Sequence, residues 1–118
     1  MSMERMLLQL RDTCGSQAAA VVSRDGLVIA GDMPDNISKE TFAIMCATIL
    51  GAGLTAATEL RYSPPSQVSL ATREARIHIY EAGPRALVVV VVTPPNREEE
   101  EVRAALQPLM EEVRREIG

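Results

Sequence analysis

From Thr41 to Thr58 the chain carries no charged side chain. At helical periodicity Phe42, Cys46, Ile49, Gly53, Ala57 and Leu60 fall on one face of this stretch. Ile44, Ala47, Thr48, Gly51, Thr55 and Thr58 fall on the opposite face, where side chains are small or weakly polar but never ionised. A surface helix shows charge on its outer side. The stretch therefore predicts a long helix, ending near Arg61, that is covered on both faces. The protein's own sheet supplies one cover, and the other needs a second source. Ser38 suits the N-cap, Glu40 the first turn, and Pro64 and Pro65 forbid continuation.

The same pattern resolves the rest of the chain. Met3, Met6, Leu7 and Leu10 recur at helical spacing, so residues 3–13 predict a short amphipathic helix closed at Gly15. Two apolar runs, 18–23 and 27–30, flank Arg24, Asp25 and Gly26, a strong hairpin signal. Residues 31–37 form the loop out of that hairpin. Val68, Leu70 and Thr72 alternate with Ser69, Ala71 and Arg73, which suits an edge strand with one wet or partly covered face. Ala75, Ile77 and Ile79 alternate with Arg76, His78 and Tyr80 in a fourth strand. After the Gly83–Pro84 turn, 86–92 is apolar on both faces, the mark of a central strand covered above and below. Asn96 is placed to cap a last helix with Glu99 at the capping-box position. Val102, Leu106, Leu109, Met110, Val113 and Ile117 form its stripe, and Pro108 is expected to kink or divide it. Glu98 to Glu101 are read as a solvated helix start favoured by the helix dipole. The expected fold is α+β within the α/β group, in the order α-β-β-α-β-β-β-α. It is a three-layer sandwich of one domain, 1–118. A five-stranded antiparallel sheet carries the long central helix on one face and the N- and C-terminal helices on the other.

Composition narrows the partners. The formal net charge of −4, with acidic residues spread along the chain, supplies neither the clustered cations that nucleic acid needs nor a polybasic patch for anionic lipid. The uncharged stretch is long enough to span a bilayer. Its threonines and glycines, between strands of a compact domain, set the expectation at no membrane span. Nothing in the N-terminal residues reads as a signal peptide, so a cytoplasmic protein is expected. Cys14 and Cys46 are the only cysteines; buried thiols are the expected reading, with a disulfide left open.

Candidate chemistry is sparse. Gly51, Gly53 and Ala56 match a loose dinucleotide pattern, but inside a helix, where small residues instead permit close approach. Gly26 and Gly31 have the spacing of a phosphate loop, yet Asp32 and Met33 occupy the positions that phosphate and magnesium require. His78 is the sole histidine, with no metal partner at usable spacing. No hydrolase, zinc-protease or dithiol motif is present, and no catalytic, cofactor or metal site is read.

Residues 18–30, with Val21, Val22, Arg24, Asp25 and Gly26, resemble the first hairpin of the Roadblock/dynein light chain family. Residues 40–52 resemble its central helix, and the Gly83–Pro84 turn before a valine-rich strand fits as well. The resemblance covers roughly residues 3–117 and is closest to small single-domain prokaryotic members. It implies a homodimer in which central helices pack together and third strands pair into one ten-stranded sheet. The interface expected from it comprises Ile44, Ala47, Thr48, Gly51, Thr55, Thr58, Val68 and Leu70. Family members bind or regulate small Ras-like GTPases or serve as scaffold subunits. The resemblance thus implies a non-enzymatic, homodimeric adaptor or regulator of such a GTPase. A scaffold subunit without effect on nucleotide turnover is the alternative, and a sensor domain holding a small ligand ranks below both.

Overall fold

The computed structural model describes residues 2–117, and of residues 87–90 it describes the backbone alone. The elements are α1 (Met3–Cys14), β1 (Ala19–Ser23), β2 (Val28–Asp32), α2 (Lys39–Glu59), β3 (Gln67–Ala71), β4 (Arg76–Glu81), β5 (Ala86–Thr93) and α3 (Glu99–Glu116). Helix starts follow from local chemistry. Ser2 accepts a hydrogen bond from the Arg5 N–H, and Ser38 accepts one from the Thr41 N–H at 3.3 Å. Helix α1 ends at Gly15, whose φ of 71° lets its N–H reach back to the Leu10 carbonyl.

The expected antiparallel sheet is built from two local units. One is the β1–β2 hairpin; the other is the β3–β4–β5 meander. A short ladder pairing Val21 with Val88, Val22 with Leu87 and Ser23 with Ala86 joins them in the order β2-β1-β5-β4-β3. Strands β2 and β3 are therefore the outer edges. On one side α1 and α3 bury Leu7, Leu10, Leu106 and Leu109 with Val21, Tyr80 and Val91. On the other, α2 packs Ala43, Cys46 and Leu50 over Ala20, Val22 and Ile79. Strand β4 lies between the two layers, which is why His78, Ile79 and Tyr80 are all buried despite their alternation. The reading of 86–92 as covered on both faces rests on side chains 87–90, outside the described residues; Ala86 and Val91 on either side are buried.

Several expectations need correction. Helix α2 stops at Glu59, short of the prolines. Arg61 adopts a φ of 62°, and the Tyr62 N–H then bonds the Ala57 carbonyl at 2.9 Å, so a left-handed turn ends the helix first. That turn throws Leu60 outward, 64% exposed, instead of onto the sheet. The inward face of α2 is rotated from the expected one and runs through Ala43, Cys46 and Leu50, with Phe42, Ala47 and Ile49 half-buried beside it. At the other end of the chain Asn96 does not cap α3. The Arg97 N–H closes a turn on the Pro94 carbonyl at 3.3 Å, and Glu98 becomes the N-cap without a side-chain bond. Helix α3 is not divided at Pro108, which sits on its exposed side, where water can satisfy the freed carbonyl. Glu99 is not simply solvated either: half-buried, it accepts hydrogen bonds from the Gln67 amide and the Ser69 hydroxyl. The two cysteines are free and lie on opposite sides of the sheet, which closes the disulfide question. Burial pushes the Cys46 thiol up to about 11.

Asp32 has a structural role. Its buried carboxylate receives a two-pronged contact from the Arg11 guanidinium at 2.7 and 2.5 Å, tying β2 to α1.

Candidate functional site

The outward side of α2 is the largest feature that the fold leaves unexplained. Ile44, Thr48, Gly51, Thr55 and Thr58 are exposed along it, and Met45 and Leu54 widen the apolar surface. Two of the three threonines are satisfied locally: the Thr48 hydroxyl donates to the Ile44 carbonyl at 2.8 Å, and the Thr58 hydroxyl to the Leu54 carbonyl at 2.9 Å. The face is thus nearly free of unmet polar groups as well as of charge. A Cβ added at Gly51 would meet no atom within 4 Å, so this residue marks open ground. Ile44 is held at one end by the hairpin turn. Gly26, at φ 92°, lets that turn approach so closely that a Cβ there would lie 3.0 Å from the Ile44 Cγ1.

The remaining expected interface residues are placed differently. Ala47 is half-buried against the core beneath α2, and Val68 turns toward the same core. Gly53 explains the closeness, since a Cβ on it would lie 3.3 Å from the Val68 Cγ2. Leu70, farther along β3, is 37% exposed. What β3 presents outward is its unpaired backbone edge, because its one strand partner is β4. Leu60 and Tyr62, exposed just past α2, extend the apolar surface and were missed as surface residues. Their hydrophobicity was visible in the chain; the left-handed turn that exposes them was not.

The helix is long and apolar enough to cross a membrane by length and composition. Here its inner side packs across β1, β2, β3 and β4. Among the described residues no group of three or more His, Cys, Asp or Glu could hold a metal ion.

A small α+β sandwich with three helices, one of them uncharged on its outer side and lying beside an open strand edge, defines the class. The chain belongs to the Roadblock/LC7 domain family, whose model matches residues 3–92. An uncharacterised protein of Methanocaldococcus jannaschii is 33% identical over 86 residues, 73% of each chain. Among solved structures, a Roadblock/LC7 domain from Streptomyces avermitilis gives a TM-score of 0.87 at 17% identity, covering 98% of this chain and 97% of that one. MglB of Myxococcus xanthus gives 0.86 at 15% identity, covering 96% and 92%. At these identities the structural likeness shows the fold, and it includes α3, beyond the residues that the family model matches.

Proposed function

We propose that the protein is a homodimeric, non-enzymatic adaptor or regulator that binds a small Ras-like GTPase in the cytoplasm. The observation that carries this reading is the outer side of α2. Ile44, Met45, Thr48, Gly51 and Thr55 leave an uncharged surface, and soluble proteins cover such surfaces with a partner. A second copy fits best, because small residues let two helices approach at the close end of the usual 8–10 Å range. The free β3 edge beside them can pair with its own twin, which removes an aggregation-prone edge. Family membership supports the GTPase as the further partner, bound by the assembled dimer.

Gly51→Arg tests the dimer directly. In the isolated fold the new side chain meets open space, so the variant should fold with an unchanged circular dichroism spectrum. Light scattering after size exclusion should find the parent as a dimer and the variant as a monomer. A monomeric parent rejects the dimer, and a variant that stays dimeric places the interface elsewhere. Nucleotide hydrolysis by candidate Ras-like GTPases, measured with and without the protein, tests the partner. Capture of the nucleotide-bound GTPase supports the reading, and acceleration makes it a regulator; no binding to any of them rejects the GTPase.

A further inference from the structure

A cavity of about 320 Å³ opens on the α3 side of the sheet, across the sheet from α2. One face of α3 lines it with Arg103, Leu106, Met110 and Arg114. Those positions follow helical spacing, so the two guanidiniums mark opposite ends of the wall and the two apolar side chains its middle. Eleven residues of helix separate the arginine Cα atoms by roughly 16 Å. The far wall includes Gln67 and Tyr80. Tyr80 is 6% exposed; its hydroxyl lies beside the Arg103 guanidinium but makes no well-formed hydrogen bond among the described residues. A buried hydroxyl left unpaired is costly and calls for an explanation. Burial pushes the Tyr80 phenol up to about 12, so it is a neutral donor at ordinary pH.

The geometry points to a binding site for a small linear aliphatic dicarboxylate, with one carboxylate at Arg103, the other at Arg114, and the chain between them on Leu106 and Met110. Arg114 makes no ion pair among the described residues. Arg103 donates to the Gln67 side-chain amide oxygen at 2.6 Å and lies 3.6 Å from the Glu100 carboxylate, both exposed contacts that a ligand carboxylate can replace. Glu81, also in the lining, is already engaged: it accepts the Gly83 N–H and faces Arg24 at 4.0 Å. The three lining charges sum to a net positive one, with the Glu100 carboxylate beside Arg103 and the Glu99 carboxylate on Gln67 at its rim. Two separated cations with an apolar stretch between them select a ligand charged at both ends, since guanidinium–carboxylate contacts are strong only when paired. This site is independent of the GTPase reading and lies on the other side of the sheet.

The protein contains two tyrosines and no tryptophan. In a Tyr62→Phe background, intrinsic fluorescence therefore reports on Tyr80 alone. Adipate should give a saturable change at concentrations on the order of millimolar. Hexanoate, with one carboxylate, should bind about tenfold more weakly, and 1,6-hexanediol should give no saturable change. Arg114→Gln, at an exposed position where folding is not at stake, should reduce adipate to the level of hexanoate. Tyr80→Phe removes the hydroxyl beside Arg103 that would donate to the carboxylate held there, and should shrink the shift in melting temperature that adipate induces. The inference is overturned if no dicarboxylate from succinate to suberate saturates, if hexanediol binds as adipate does, or if adipate binding is unchanged in Arg114→Gln.

Discussion

The two sides of the sheet are finished to different degrees. Helices α1 and α3 close one side with a continuous set of large buried residues, Leu7, Leu10, Leu106 and Leu109 among them, and turn arginines and glutamates outward. Helix α2 closes the other with a thinner set in which Leu50 is the one fully buried leucine, and it turns no charge outward along Thr41–Thr58. The first side solves the burial problem within one chain. The second buries its inner stripe and leaves its outer one exposed. The lesson is that apolar content alone does not mark a core helix: α2 is the most apolar helix in the chain and also the most exposed of the three.

The comparison predicts unequal costs for the same deletion. Leu→Ala in a core costs about 2–5 kcal/mol, more where the surroundings cannot collapse or admit solvent. Leu7 sits wholly enclosed between helices and sheet, so Leu7→Ala belongs at the upper end. Leu50 already borders an open cavity of about 200 Å³ with Leu54, Pro64 and Pro65, so Leu50→Ala belongs at the lower end. Chemical denaturation of the two variants in the Gly51→Arg background, which the dimer reading expects to be monomeric, checks this. Equal costs would mean that the α2 side is as tightly finished as the other.

A smaller effect tests closure on the α1/α3 side. His78 is 1% exposed, with its Nε2 3.1 Å from the Thr93 hydroxyl. Burial lowers its pKa; the Glu99 carboxylate raises it and Arg76 lowers it, and burial prevails. A histidine held neutral in the fold but free to charge when unfolded destabilises the fold as pH falls. The loss should begin near pH 6.5, the ordinary histidine value, and stop at the lowered folded pKa. Between them the slope is at most about 1.4 kcal/mol per pH unit. Stability curves between pH 7.5 and 5, compared with His78→Phe, isolate the contribution, because the variant should lose that part of the slope. A wild-type slope that the variant retains would mean that water reaches the ring.

Much of the architecture was legible because local chemistry and tertiary need agree. The 3–10 periodicity, Gly15, the Arg24–Asp25–Gly26 turn and Ser38 each specify a local conformation that the fold then uses. The uncharged face of α2 was equally legible, since a missing charge needs no partner to be seen. What escaped reading depends on residues far apart in the chain. In the sequence Asp32 marks only a position unfit for phosphate, whereas Arg11, 21 residues away, gives it its role. Ala47 reads as outward because helical phase alone leaves the rotation of α2 open, and the approach of Gly53 to Val68 sets it. The α3-side cavity draws on residues 66–67, 80–81 and 103–114, which share no motif.

The smallest prediction concerns how the two sides end their helices. Helix α1 finishes on Gly15 at φ 71°, and α2 finishes on Arg61 at φ 62°. The backbone task is the same, but a side chain in the left-handed region costs about 1–2 kcal/mol. Glycine removes that cost while losing more freedom on folding, about 0.5–1 kcal/mol. Arg61→Gly should therefore stabilise the monomer by about 0.5–1 kcal/mol, measured by thermal or chemical denaturation. If the turn serves mainly to hold Leu60 and Tyr62 outward, as the unfinished side requires, self-association of Arg61→Gly should be unchanged in the wild-type background. A variant that is less stable instead would show that the Arg61 side chain makes a contact outweighing its strain, and the α2 terminus would then be finished within the monomer after all.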